Sequence, residues 1–96
     1  MTVRITVLVP GTLRAQAGGE SRLEVEVAGP ATLGTLLDAL AQRYPALERR
    51  LRDEQAGLRR YVNFYVDGEE CRHRGGPSAA LRDRGEVQII PSVAGG

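Results

Sequence analysis

The sequence predicts a two-layer α+β domain, one β-sheet with a single main helix lying across one of its faces. Three observations predict it. Residues 2–9, 22–28, 61–66 and 86–90 alternate apolar and polar side chains, the pattern of strands with one buried face. Residues 32–44 instead space their leucines three and four apart, the pattern of a helix with one apolar stripe. Glycine and proline punctuate the chain between these stretches, giving the order strand, strand, helix, strand, short strand, strand. A helix with one apolar stripe must bury it against something, and half-buried strands supply the surface.

Ninety-six residues make one domain, long enough to bury about 60–65% of the surface of its unfolded chain without disulfide or metal. Thirteen arginines against twelve acidic residues leave a formal charge of +1, so no net field points to nucleic acid or to a membrane. The chain has no lysine and hence no side-chain amine to accept an isopeptide bond; only the amino terminus remains. Cys71 is the single cysteine and His73 the single histidine. An internal disulfide is excluded and a reducing, cytoplasmic location is expected. The two residues fall short of a zinc-ligand set, so neither a metal nor a bound cofactor is expected. The amino terminus lacks the basic and then apolar segments of a signal peptide, and no apolar run approaches the ~20 residues of a membrane helix.

Residues 2–9 place Val3, Ile5, Val7 and Val9 on one side and Thr2, Arg4, Thr6 and Leu8 on the other, and Pro10 and Gly11 stop the strand. The connection that follows runs to Gly18 and Gly19, too long for a two-residue hairpin turn. Residues 22–28 bury Leu23, Val25 and Val27 and expose Glu24 and Glu26, and can pair back antiparallel to the first strand. Gly29 and Pro30 end that pattern. Thr32 then offers a side-chain oxygen to the free amides of a helix whose stripe is Leu33, Leu36, Leu37, Leu40 and Tyr44. Pro45 disfavours helical geometry at Tyr44 and suits the first turn of a shorter helical segment through Leu47 and Leu51.

Residues 52–60 are polar, mixed in charge and include Gly57, and read as a surface connection. Its arginines, with Arg49 and Arg50, either meet an acidic partner or form an ordinary solvated face. Residues 61–66 are the third strand, with Val62, Phe64 and Val66 inward, and Asp67 and Gly68 form a hairpin turn. Residues 69–74 are expected as a short return strand closed by Gly75, Gly76 and Pro77. Residues 78–82 are expected as a single helical turn anchored by Leu81. The last strand, residues 86–90, turns Val87 and Ile89 inward and is ended by Pro91.

Residues 91–96 read as a flexible tail that, extended, reaches roughly 20 Å. Gly95 and Gly96 carry no Cβ and can thread a channel too narrow for any side chain, which makes the Gly96 carboxylate the one obvious reactive group of the chain. A glycine pair by itself reads first as a frayed terminus, so the residues before it have to decide.

Residues 87–96, an apolar strand followed by Pro91 and then by Val93, Ala94, Gly95 and Gly96, resemble the ending of the ubiquitin-like sulfur carriers of the MoaD/ThiS family. Residues 62–68 are similar to that family's third strand, and Pro10, Leu13 and Arg14 to the turn after its first. The resemblance spans the whole chain. It is nearest to the CysO subfamily, the carriers for cysteine biosynthesis, which share the long charged connection before the third strand and the pair Gly75 and Gly76. One departure is local: where many relatives have Asp-Gly-Asp before the last strand, this chain has Asp83, Arg84 and Gly85, so the turn glycine falls one place later.

The resemblance implies a β-grasp (ubiquitin-like) fold, a mixed sheet of four to five strands with the main helix packed on one face and a free diglycine tail. It implies that a separate ubiquitin-activating-type adenylyltransferase uses ATP and Mg to adenylate the Gly96 carboxylate, and that a sulfur donor then converts it to a thiocarboxylate. The chemistry is sensible. A carboxylate is a poor electrophile; AMP gives it a leaving group, and sulfide displaces AMP to leave an acyl-bound, nucleophilic sulfur. The chain is then a protein cosubstrate and not an enzyme, and its sequence has no glycine-rich phosphate loop ending in lysine. The implied partners are that adenylyltransferase and a sulfur-accepting synthase, which is cysteine synthase-like, thiazole synthase-like or the large subunit of molybdopterin synthase. The alternative roles are the small subunit of molybdopterin synthase and a ubiquitin-like protein modifier. Docking is expected on the sheet face away from the helix, where Leu8, Tyr61, Tyr65 and Ile90 share a side, as interface anchors or as ordinary apolar surface.

Overall fold

Alternation along the chain becomes a mixed sheet in the computed structural model, which describes residues 1–91. In chain order the elements are β1 (Thr2–Leu8), β2 (Arg22–Ala28), β3 (Ala31–Thr32), α1 (Leu33–Arg43), α2 (Pro45–Leu51), β4 (Val62–Val66), β5 (Glu69–Glu70), β6 (Ala80–Leu81) and β7 (Gly85–Pro91). β1 and β2 pair antiparallel with Val3 opposite Val27, Ile5 opposite Val25 and Val7 opposite Leu23, so their apolar sides coincide. β7 runs parallel to β1 and antiparallel to β4, and the main sheet has the order β2-β1-β7-β4-β5. This is the β-grasp arrangement, and its inward side chains, among them Ile5, Val25, Phe64 and Ile89, are buried with Leu33, Leu36, Leu37 and Leu40 of α1.

The start of α1 is capped as Thr32 predicts. Thr32 Oγ1 accepts from the Thr35 amide at 3.2 Å, and Thr35 Oγ1 accepts in return from the Thr32 amide at 2.8 Å, a capping box that satisfies two amides at once. Tyr44 is the C-cap of α1, and Pro45 opens α2, which buries Leu47 and Leu51. At the hairpin, Asp67 and Gly68 both have positive φ, 49° and 88°, as a two-residue turn between twisted strands requires.

Four expectations are corrected. Only Glu69 and Glu70 pair as a return strand; Cys71–Arg74 coil into a 3-10 turn, because the Glu70 carboxylate takes the Arg72 amide at 2.9 Å and the turn buries Cys71. Residues 78–82 are not a helical turn. Gly76–Ser78 form a 3-10 turn and β6 then pairs antiparallel with β3, and the Leu33 amide at the start of α1 donates to the Ala79 carbonyl at 2.9 Å, which gives a helix-end donor its partner. Residues 52–60 are not wholly a surface connection: Arg52 is only 9% exposed and ion-pairs with Glu48 of α2 at 2.7 Å and Asp38 of α1 at 2.9 Å, two carboxylates that offset the burial of its charge. Pro91 is the last residue of β7, opposite Val62, rather than the first of a tail; without an N–H it can still accept at the strand's end.

Two further features lay outside the periodic patterns. The first connection folds as a 3-10 helix, Gly11–Ala17, that buries Leu13 and Ala17. At the turn before β7, Arg84 takes the left-handed conformation at φ 65°. Gly85 is required by crowding there, since a Cβ on it would lie 2.9 Å from the Arg82 carbonyl oxygen.

Candidate functional site: the open sheet face beside the end of β7

Strand alternation sends the side chains between the buried ones to the face away from α1. Across that face the register sets Arg22, Leu8, Gln88, Tyr65 and Glu70 side by side, one residue from each strand of the main sheet. Ile90, opposite Asn63, lies one row closer to the end of β7. Leu8, Tyr65 and Ile90 are half-buried, so the structure brings these three expected anchors together. Tyr61 precedes β4 and is 54% exposed, consistent with its alternation with Val62. The expected tail residues Val93, Ala94, Gly95 and Gly96 lie outside the described residues, and with them the group to which the sequence assigns the chemistry.

Next to this apolar centre is an open groove of about 540 Å³, bordered by Leu8, Pro10, Arg14, Arg22, Ile90 and Pro91. Arg14 is fixed there by its Nε, which donates to the Val9 carbonyl at 3.2 Å. On the opposite flank Arg72 donates to Asn63 Oδ1 at 3.1 Å, to Glu70 at 3.2 Å and to the Val62 carbonyl at 3.4 Å. Sequence reasoning did not place these arginines at the site. Arg22 was within reach of a register argument, whereas Arg72 depends on the 3-10 turn that no periodicity announces.

Among the described residues near the groove none is an evident catalyst. Cys71 is buried, and that burial, with the neighbouring Glu70 carboxylate, pushes its thiol pKa up, which keeps it protonated and unreactive at neutral pH. His73 is exposed. Among the described residues no three His, Cys, Asp or Glu side chains gather where a metal could bind, and no helix is long and apolar enough to cross a membrane. The face presents an apolar centre of Leu8, Tyr65 and Ile90 with Arg14 and Arg22 on one side and Arg72 on the other.

Substitution on this face has an expected outcome. Tyr65→Ala and Ile90→Asp should leave the fold intact and weaken partner binding by about 1–3 kcal/mol for the truncation and more for the buried charge. Titration calorimetry of both variants against an activating enzyme checks this, and unchanged affinity in both would move docking elsewhere, to the arginines of residues 49–60.

A family model described as the ThiS family matches residues 7–96. The sulfur carrier protein CysO of Mycobacterium tuberculosis is 38% identical over 96 residues, covering 98% of this chain and 100% of that protein. The molybdopterin synthase sulfur carrier subunit of the same organism is 35% identical over 94 residues, covering 98% and 99%. In a crystal structure of the BexX/CysO complex of Amycolatopsis orientalis, one chain superposes with a TM-score of 0.84 at 36% identity, over 96% of this chain and 99% of that one.

Proposed function

The chain belongs to the ThiS family of sulfur carriers, protein cosubstrates rather than enzymes, and we propose that it is a CysO-type carrier whose sulfur goes into cysteine or another sulfur-containing metabolite. The observation that carries this reading is the likeness to CysO along the whole chain, with the family match running through Gly96. In the proposed cycle an adenylyltransferase binds the open sheet face and receives the residues beyond β7. ATP and Mg on that enzyme convert the Gly96 carboxylate to an acyl adenylate with release of pyrophosphate. Sulfide or an equivalent donor displaces AMP, and the resulting thiocarboxylate is handed to an accepting synthase that uses the same face. The chain's own contribution is binding and presentation: Leu8, Tyr65 and Ile90 hold the partner, and Gly95 and Gly96 admit the carboxylate to a channel shaped for bare backbone.

The molybdopterin synthase sulfur carrier subunit supports a second reading, because its identity is nearly as high. The two are separated by where the sulfur goes. Thiocarboxylated chain is offered in parallel to a cysteine synthase-type enzyme with an activated serine, to a thiazole synthase, and to the large subunit of molybdopterin synthase with its pterin precursor; cell extract is searched for heavier conjugates. The CysO-type reading expects the thiocarboxylate to be consumed fastest in the first reaction, its sulfur displacing the activating group of serine to give a carrier-linked cysteine, whose hydrolysis releases cysteine and restores the Gly96 carboxylate. Faster consumption by the pterin reaction, or conjugates as the main product, would replace it.

A further inference from the structure

The open sheet face is electrically two-ended, although the chain as a whole is close to neutral at +1. In the half beside the end of β7, Arg22 stands in the row with Leu8, Arg14 overhangs the groove, and Arg72 is fixed at the β4 edge. Among the described residues neither Arg14 nor Arg22 makes an ion pair. One row further from that end the same face turns acidic, with Glu24 and Glu86 on either side of Thr6. In the row after it Glu26 faces Arg4 at 3.1 Å, and Asp83 accepts from the Arg4 amide at 2.9 Å. Among the described residues Arg14 and Arg22 therefore stand unpaired beside the apolar centre on the β1 side, Arg72 on the β4 side is paired with Glu70 at 3.2 Å, and the other carboxylates of the face stand behind that centre.

From this polarity we infer that the face is built for a protein partner whose docking surface carries carboxylates beside an apolar knob, with those carboxylates meeting Arg14 and Arg22 on the β1 flank of β7. The inference rests on the carrier reading and adds the chemistry of the activating enzyme's entry surface. A polyanion such as nucleic acid fits poorly, because the row of Glu24 and Glu86 on the same face would repel its phosphates. With almost no net charge, any steering has to come from the placement of charge, and complementary surfaces of this kind speed association by about 10- to 1000-fold at low salt. An approach with the sheet turned end for end sets the partner's carboxylates against Glu24, Glu26 and Glu86, so the polarity also selects the orientation that leads β7 into the partner. At physiological ionic strength charges further apart than about 8 Å are screened, so the arginines act in the last stage of the encounter.

The experiment measures the association rate of the full chain with a bacterial activating enzyme that adenylates it, by stopped flow from low to physiological salt. Arg14→Gln with Arg22→Gln is compared with Arg49→Gln with Arg50→Gln, a pair on α2 that removes the same charge from the other layer; melting temperatures establish that both are folded. The first pair should associate about tenfold more slowly at low salt and show a flatter salt dependence. Its KM as substrate should rise about as much, with a smaller change in kcat, while the α2 pair stays within about twofold of wild type. Association of the Arg14 and Arg22 variant at the wild-type rate, or an equal loss in the α2 pair, would overturn the inference and leave the carrier reading standing. A wild-type chain that no activating enzyme adenylates removes the carrier reading itself, and the partner chemistry with it, before any variant is compared.

Discussion

Gly95→Phe is expected to melt at the wild-type temperature and to be adenylated at least a hundredfold more slowly. Among the described residues the last buried core side chain is Ile89, so the substitution leaves each of those core residues in place, and a change outside such a core usually moves stability by about 0.5 kcal/mol or less. Activation depends on something else. A phenylalanine side chain would meet the walls of a channel that admits only bare backbone and would displace the carboxylate from the phosphate it attacks; a misplacement of about 1 Å costs roughly 100-fold in rate. Deleting Gly96 should act the same way by drawing the carboxylate back along the channel. ATP-dependent adenylation and melting temperature, measured side by side for the two variants, separate this account from a folding defect. Folded variants adenylated at the wild-type rate would mean that the glycines do not deliver the carboxylate.

Phe64→Ala is expected to have the largest effect on stability. Phe64 is fully buried in the middle of β4, opposite Ile89 of β7, at the joint between the third strand and the strand that carries the site. Removing a buried phenyl ring costs about 3–5 kcal/mol in lost burial and residual cavity, against a total of about 5–15 kcal/mol for an ordinary domain. At this chain length each kcal/mol lowers the melting temperature by about 4–8 °C, so the midpoint should fall by tens of degrees. Because Ile89 sits between Gln88 and Ile90, loosening its contact should also disturb the open face, and partner affinity should drop as the folded fraction drops. Urea unfolding of wild type and variant measures the loss; a change below about 1 kcal/mol would mean the strand pair is held by other contacts.

The sequence was legible wherever one residue's neighbours in the chain decide its environment. Period-two alternation placed Val3, Ile5, Val25, Phe64 and Ile89 inward, and by the same parity put Leu8, Tyr65 and Ile90 together on the open face. Thr32 and Pro45 marked helix boundaries by chemistry internal to a single turn. What stayed hidden depended on distant partners. The burial of Arg52 requires Asp38 on another helix, which charge-run reasoning along residues 52–60 cannot see. β3 and β6 are two residues each, too short to show a period, and their pairing joins segments some fifty residues apart. The turn at Cys71–Arg74 follows from one side-chain carboxylate capturing a backbone amide, and Arg72 reaches the site only because of it. Arg72 was therefore beyond the sequence, although Arg22 and the apolar centre were not.

Whether Gly96 carries the sulfur is read from the intact mass of the chain. Purified chain is incubated with ATP, magnesium, an activating enzyme that accepts related carriers and a sulfide source, and its mass is compared with a sample lacking ATP. An ATP-dependent species heavier by one oxygen-to-sulfur exchange is expected, with fragmentation assigning the change to Gly96 and with the Gly96 deletion failing to form it. A chain whose mass stays unchanged with every such enzyme, or whose added sulfur maps to Cys71, would contradict the carrier reading.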